Sequence, residues 1–261
     1  MRPLSEAEIL EVWERGRGKS AQEQALAPLL TLAAGSASPG PQPPERLPVG
    51  ERDRQLLLLR RATLGPQLHG AASCPRCGAP VDFSVGVDEV LAAGAVDGGP
   101  GLDLHVSGFD LTLRLLDSRD LALAAETGSP AGAYRRLLEQ AVVSLSSEGR
   151  PASLDQLPAE ALAAVAEVLE AHDPLAVVPL ALACNRCGGS WQPLLDVAAF
   201  VWRELEARAE RVMMDVHTLA QGYGWSEATV LAMSPARRQF YLDLVPAQRQ
   251  RGAPAEEAPA P

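Results

Sequence analysis

The sequence predicts an α+β fold, mostly helical, on three observations. All four cysteines fall in two C-x-x-C-G pairs, Cys74-Pro75-Arg76-Cys77-Gly78 and Cys184-Asn185-Arg186-Cys187-Gly188. Apolar residues make up 47% of the 261 but aromatics only 4%, and Ala, Leu and Val dominate, which favours helix over β-sandwich. Val197, Val201, Leu205, Ala209, Val212, Val216 and Leu219 recur at gaps of three and four, the period of a long amphipathic helix.

Each cysteine pair has the form of a zinc knuckle. Two thiolates at this spacing grip one face of a tetrahedral ion, and two such pairs close the site. The glycine after each second cysteine suits a turn with positive φ, where backbone N–H groups point back at the sulfurs. Residues 78–183 lie between the pairs; a compact ribbon leaves a gap of about 15–20. The chain therefore reads as a discontinuous zinc ribbon, two knuckles on β-hairpins, with a helical insertion at about 86–175. Cys74, Cys77, Cys184 and Cys187 are the candidate ligands of one structural Zn2+, with iron left open by spacing alone. A four-thiolate site leaves no position for water or substrate, so it is structural and not catalytic.

Three other readings of the cysteines are weaker. A disulfide framework belongs to small secreted chains, and no signal peptide is visible here. A thioredoxin-like redox pair occurs once, near a βαβ unit, not twice. Unligated core cysteines fit poorly with Arg76 and Asn185 between them.

The elements follow in order. Ser5 and Glu8 form a capping-box signature ahead of Ile9, Leu10, Val12 and Trp13, and Gly16 and Gly18 stop that helix. Ser20 and Glu23 repeat the box before a helix to about Ala34. Residues 1–35 are thus an N-terminal helical pair, and 36–49, rich in proline, a linker. Arg52 to Leu64 is a third helix. The domain 50–245 continues with a strand through Val81, Phe83 and Val85, a flexible loop from Gly94 to Gly101, and a hairpin around Ser107-Gly108. Ser118 caps a helix to about Thr127. Gly128-Ser129-Pro130 breaks it, and a helix follows from Ala131 to Leu145. Pro158 starts a helix ending near His172. The run from Leu175 reads as a strand into the second knuckle, with Ser190-Trp191-Gln192 returning. The C-terminal helices fill about 194–245: the long one ends at Gly222-Tyr223-Gly224-Trp225, Ser226 caps a short one, and Ser234-Pro235 opens the last, Ala236 to Leu244. Residues 246–261 read as a disordered tail.

Catalytic patterns are missing from the sequence. His69, His105, His172 and His217 form no metalloprotease spacing, and no nucleophile elbow occurs. Gly18-Lys19-Ser20 resembles the end of a phosphate loop, but Trp13 stands where that motif starts with glycine. His69 is near enough to the first pair in sequence to support or replace a sulfur. The net charge of −10 opposes general nucleic-acid binding, which needs a surplus of Lys and Arg. Arg76 and Arg186 at the knuckle tips keep a zinc-ribbon nucleic-acid regulator as the alternative. No apolar run is long enough for a bilayer, and a reducing cytoplasm is the expected compartment. Trp13, Trp202, Trp225 and Tyr241 are the candidate partner-binding residues.

Several blocks resemble one family. These are Leu4-Ser5-Glu6-Ala7-Glu8-Ile9-Leu10 to Trp13-Glu14, Leu115-Leu116-Asp117-Ser118-Arg119-Asp120-Leu121, and Cys184 to Gly188 with Trp191-Gln192. Phe200-Val201-Trp202-Arg203-Glu204-Leu205-Glu206, Val216 to Glu227 and Leu231 to Arg238 complete them. Together they are similar to the baseplate hub assembly chaperones of contractile phage tails and of phage-tail-like contractile injection systems. The resemblance implies a non-enzymatic role, helping a baseplate, hub or spike component fold or assemble. It supplies no residue-level partner contacts and does not account for the cysteines, and it fixes neither client nor oligomeric state.

Overall fold

The computed structural model describes residues 1–35, 42–92, 94 and 101–251, the last six without their side chains. The fold is α+β, with ten α-helices and three small antiparallel sheets among the described residues.

The N-terminal helices are α1, Glu6–Gly16, and α2, Ala21–Ala34. Both begin with complete capping boxes: Ser5 and Ser20 accept from the N–H groups of Glu8 and Glu23, whose carboxylates reach back to the cap N–H. Helix α3 spans Val49–Leu64. Part of the linker, 36–41, lies outside the described residues. The rest is ordered by contacts: Pro44–Arg46 is a 3-10 turn, Pro48 bridges Asp117, and the Val49 N–H donates to the Leu116 carbonyl at 2.9 Å.

Two hairpins hold the cysteine turns. Strands β1, Gln67–Ser73, and β2, Pro80–Gly86, pair in register from Gln67–Gly86 to Ser73–Pro80. Sequence reading supplied β2 but not β1, because Gly70-Ala71-Ala72-Ser73 carries no apolar alternation. Gly70 has a physical reason: a Cβ there would sit 2.5 Å from the Phe83 ring. Further along, β7, Leu182–Ala183, pairs with β8, Ser190–Trp191. The apolar run from Leu175 is mostly not strand. It starts as a 3-10 turn, Pro174–Ala176, and touches its partner segment at one bridge, Pro179 to Leu194.

Between the hairpins lies a small α+β unit. Helix α4, Val87–Leu91, leads into it; most of the expected Gly94–Gly101 loop lies outside the described residues. Strands β3, Leu102–Val106, and β4, Phe109–Leu113, form the expected hairpin. Ser107 and Gly108 both have positive φ, 53° and 78°, as a tight primed turn requires. Helix α5, Ser118–Ala125, is capped by Asp117 and not by Ser118, since Asp117 accepts from the N–H groups of Arg119 and Asp120.

Helix α6, Pro130–Ala141, stops earlier than sequence periodicity predicts. Val142–Ser147 is strand β5, paired with β4 and with β6, Arg150–Pro151. Two adjacent β-branched valines followed by serine fit a pleated edge better than a fourth helical turn. Helix α7, Ala159–His172, lies over this sheet, and Leu111, Leu113, Leu157, Ala161 and Val165 form its own core.

Helix α8, Val197–Tyr223, organises the main core. Its stripe finds its partner within the chain. Val197, Val201, Leu205, Ala209 and Val212 pack with Ile9 and Val12 of α1, Ala27 and Leu29 of α2, and Leu56, Leu57 and Leu59 of α3. Gly224, left-handed at φ 72°, ends it. Helices α9, Glu227–Leu231, and α10, Pro235–Arg251, fold back. Helix α10 runs past Leu244 into the first residues of the expected disordered tail; 252–261 lie outside the described residues. Buried Arg238 fastens this cap: it bonds both carboxylate oxygens of Glu6 and sits 3.2 Å from Asp215. No described helix is long and apolar enough to cross a membrane.

Candidate metal centre

The two hairpins bring Cys74, Cys77, Cys184 and Cys187 together from opposite ends of the insertion. All four sulfurs lie within 4.8 Å of one another. Cys74 Sγ is 3.7 Å from Cys187 Sγ, and Cys77 Sγ is 3.7 Å from Cys184 Sγ. Each contact joins the first cysteine of one turn to the second cysteine of the other. These distances exclude disulfides, whose sulfurs lie about 2.05 Å apart. They match a tetrahedron: with metal–sulfur bonds of about 2.3 Å, its edge is about 3.8 Å. The four cysteines can hold a metal ion.

The two turns are near copies. The Gly78 N–H donates to the Cys74 carbonyl at 2.9 Å, and the Gly188 N–H to that of Cys184 at 2.9 Å. The Cys74 N–H donates to Ala79, and the Cys184 N–H to Gly189. Gly78 and Gly188 have φ of 69° and 68°, a region that a side chain enters at a cost of about 1–2 kcal/mol. Cys74 and Cys184 are buried beside Ala79, while Cys77 is exposed and Cys187 half-buried.

The electrostatics are compatible with a bound cation. The N–H groups of Cys187 and Arg186 lower the Cys184 thiol to about 7. The Ala79 N–H favours the Cys77 thiolate, but desolvation and the three neighbouring sulfurs outweigh it and push that thiol up to about 12. Four thiolates this close repel one another, and a divalent ion reverses the sign of that interaction. Arg76 and Arg186 are exposed, one on each turn, and the Arg76 side chain lies against Gly189 of the other turn.

His69 stands apart. It is exposed on β1 opposite Ser84, five residues from Cys74, or roughly 16 Å along an extended strand. The four-ligand group consists of the cysteines alone.

The aromatic candidates divide. Trp202 is 5% exposed, with its ring against Gly16; it is a core residue and leaves the set of docking residues. Trp13 is half-buried, with Arg17 4.7 Å above its ring. Trp225 stacks on Tyr223 at 4.4 Å and meets Tyr241 edge-on at 4.8 Å. Beside this cluster Phe240 is 61% exposed.

One cavity was not legible in the sequence. A groove of about 920 Å3 runs between α7, α8 and the start of α3, with Arg52, Asp53 and Asp173 among its lining residues. All three are buried. The Asp53 and Asp173 carboxyls are raised, mainly by desolvation, that of Asp173 to about 6. Isolated charges on loops or at helix ends give no pattern that periodicity can find.

Compared with protein-family models, with curated proteins and with solved structures, the chain gives no match to any of the three.

Proposed function

We propose that the chain is a non-enzymatic assembly factor for the baseplate or hub of a contractile, phage-tail-like injection system, its fold closed by one structural zinc ion. The observation that carries the metal assignment is the four-sulfur cluster with a tetrahedral edge. Zinc is the common occupant of two knuckles of this form. Bound there, it would join residues 67–86 to 182–191 and supply folding free energy on the order of 10 kcal/mol. That exceeds or rivals the stability of a typical domain. With four protein ligands no coordination position is left for catalysis. Arg76 and Arg186 would offset the net negative charge of a divalent ion with four thiolates.

The assembly role rests on the resemblance of the sequence blocks, and one structural relation supports it. The opening block and the C-terminal block, distant in sequence, pack as one unit. Ile9 and Val12 meet the α8 stripe, and Glu6 pairs with Arg208 and Arg238. The stripe is used inside the chain, so a client is not held by it. The surface that fits a client is the C-terminal cap, where Phe240 and Leu244 are exposed beside half-buried Trp225 and Tyr241. Affinity purification from cells making particles tests this. Recovery of a baseplate, hub or spike subunit, lost in a Phe240→Ser/Leu244→Ser variant, is expected. Recovery of none of them contradicts the role. Steeply salt-dependent nucleic-acid binding would favour the regulator instead.

A further inference from the structure

The four sulfurs differ in exposure, and the difference crosses between the turns. Cys74 and Cys184, the first cysteine of each pair, are each 2% exposed. Cys77 is exposed and Cys187 half-buried. Each accessible sulfur lies 3.7 Å from a buried one of the opposite turn: Cys77 from Cys184, and Cys187 from Cys74. A sulfur open to an oxidant, in contact with a second sulfur able to resolve it, is the pattern of a redox-responsive pair. Here it occurs twice.

The surrounding chain already holds the turns face to face. Each turn is closed by its own glycine, whose N–H donates to the first cysteine's carbonyl, and strand β2 lies beside β7. A disulfide across the turns needs its sulfurs to close by about 1.7 Å, from 3.7 Å to about 2.05 Å. Rotation of the two cysteine side chains covers such a distance.

We propose that this centre is also a peroxide-responsive latch, an inference that rests on its reading as a metal site: oxidation replaces the ion by the disulfides Cys77–Cys184 and Cys74–Cys187, which keep the two hairpins joined. The Cys77 thiolate attacks a peroxide oxygen; an S–O bond forms, the O–O bond breaks and hydroxide leaves. The Cys184 thiolate then attacks Cys77 Sγ; the S–S bond forms, the S–O bond breaks and a second hydroxide leaves. The two sulfurs give up two electrons, which the peroxide takes. A second peroxide reacts in the same way at Cys187 and Cys74. Because Cys77 is the more exposed of the two attacked sulfurs, its pair closes first. Disulfide sulfurs carry no thiolate charge to hold a cation, so the metal leaves while residues 67–86 and 182–191 stay linked.

Titrating the zinc-loaded protein with hydrogen peroxide tests this. A chromophoric chelator reads the released zinc, and mass spectrometry of a non-reduced tryptic digest reads the disulfides. Cleavage after Arg76 and Arg186 puts every cysteine on its own peptide, so the pairing is read directly. The expected result is one zinc released per chain, Cys77–Cys184 formed ahead of Cys74–Cys187, an unchanged far-ultraviolet circular dichroism spectrum, and reversal by dithiothreitol with added zinc. Disulfides within the turns, Cys74–Cys77 and Cys184–Cys187, would overturn the proposal. So would disulfides between chains, sulfinic acid at Cys77 with no disulfide, or zinc retained at millimolar peroxide. Protein free of zinc before peroxide is added contradicts the metal reading alone, and the same peptides still decide the pairing.

Discussion

Asp173→Asn should stabilise the protein at neutral pH, and the gain should vanish in acid. Asp173 closes α7 and caps the start of α3 through Gly50, in a buried position. Desolvation raises its carboxyl from 3.8 to about 6; the Gly50 N–H and Arg52 oppose this, and Asp53 adds to it. An acid whose pKa is higher folded than unfolded favours the folded state below the unfolded value. That advantage is lost as pH rises through the folded value. The full shift corresponds to about 3 kcal/mol at pH 7, at 1.36 kcal/mol per unit. Water entering the groove reduces this, so a gain of about 1–3 kcal/mol is expected for the neutral amide, which keeps an acceptor for Gly50. In a chain of this size that is a Tm increase of about 2–8 °C. Thermal and urea unfolding of both proteins between pH 4 and pH 8 reads it. The difference should be small at pH 4, grow through pH 6 and level off above pH 7. A destabilised variant at pH 7.5, or a difference independent of pH, would refute the reasoning.

Three further perturbations have defined outcomes. Gly16→Ala places a Cβ 2.4 Å from the Trp202 ring; overpacking of about 1–3 kcal/mol should outweigh the helix-propensity gain of up to about 1, so urea midpoints should fall. Glu6→Gln leaves Arg238, 3% exposed, with Asp215 as its remaining carboxylate, and should cost about 2–4 kcal/mol in chemical unfolding; unchanged stability would mean that this pair does not tie α1 to α10. Gly78→Ala and Gly188→Ala should each cost about 1–2 kcal/mol and accelerate metal loss to a chelator, because both positions require positive φ.

Local signals survived into the fold wherever the chemistry was local. The boxes at Ser5/Glu8 and Ser20/Glu23, the turn at Ser107-Gly108 and the glycine stop after Tyr223 are each written in a few adjacent residues. The four cysteines were legible because metal spacing is a short-range constraint, and their convergence followed from stoichiometry. What escaped was set at long range. Residues 142–145 read as the end of a helix until β4 offers them a ladder from about thirty residues away. Trp202 resembles a docking aromatic until Gly16, on another helix, opens space for its ring. Asp173 is an ordinary helix-ending residue in sequence. Only the approach of α3 turns it into a buried carboxylate with an unmatched oxygen.

The central claim is that one ion, held by Cys74, Cys77, Cys184 and Cys187, closes the fold. X-ray absorption at the zinc edge on untagged protein, with metal content measured on the same sample, tests it most directly. The account predicts one zinc per chain surrounded by four sulfurs at about 2.3 Å. A folded, metal-free protein with four freely reactive thiols, or a zinc shell containing nitrogen or oxygen, would contradict it.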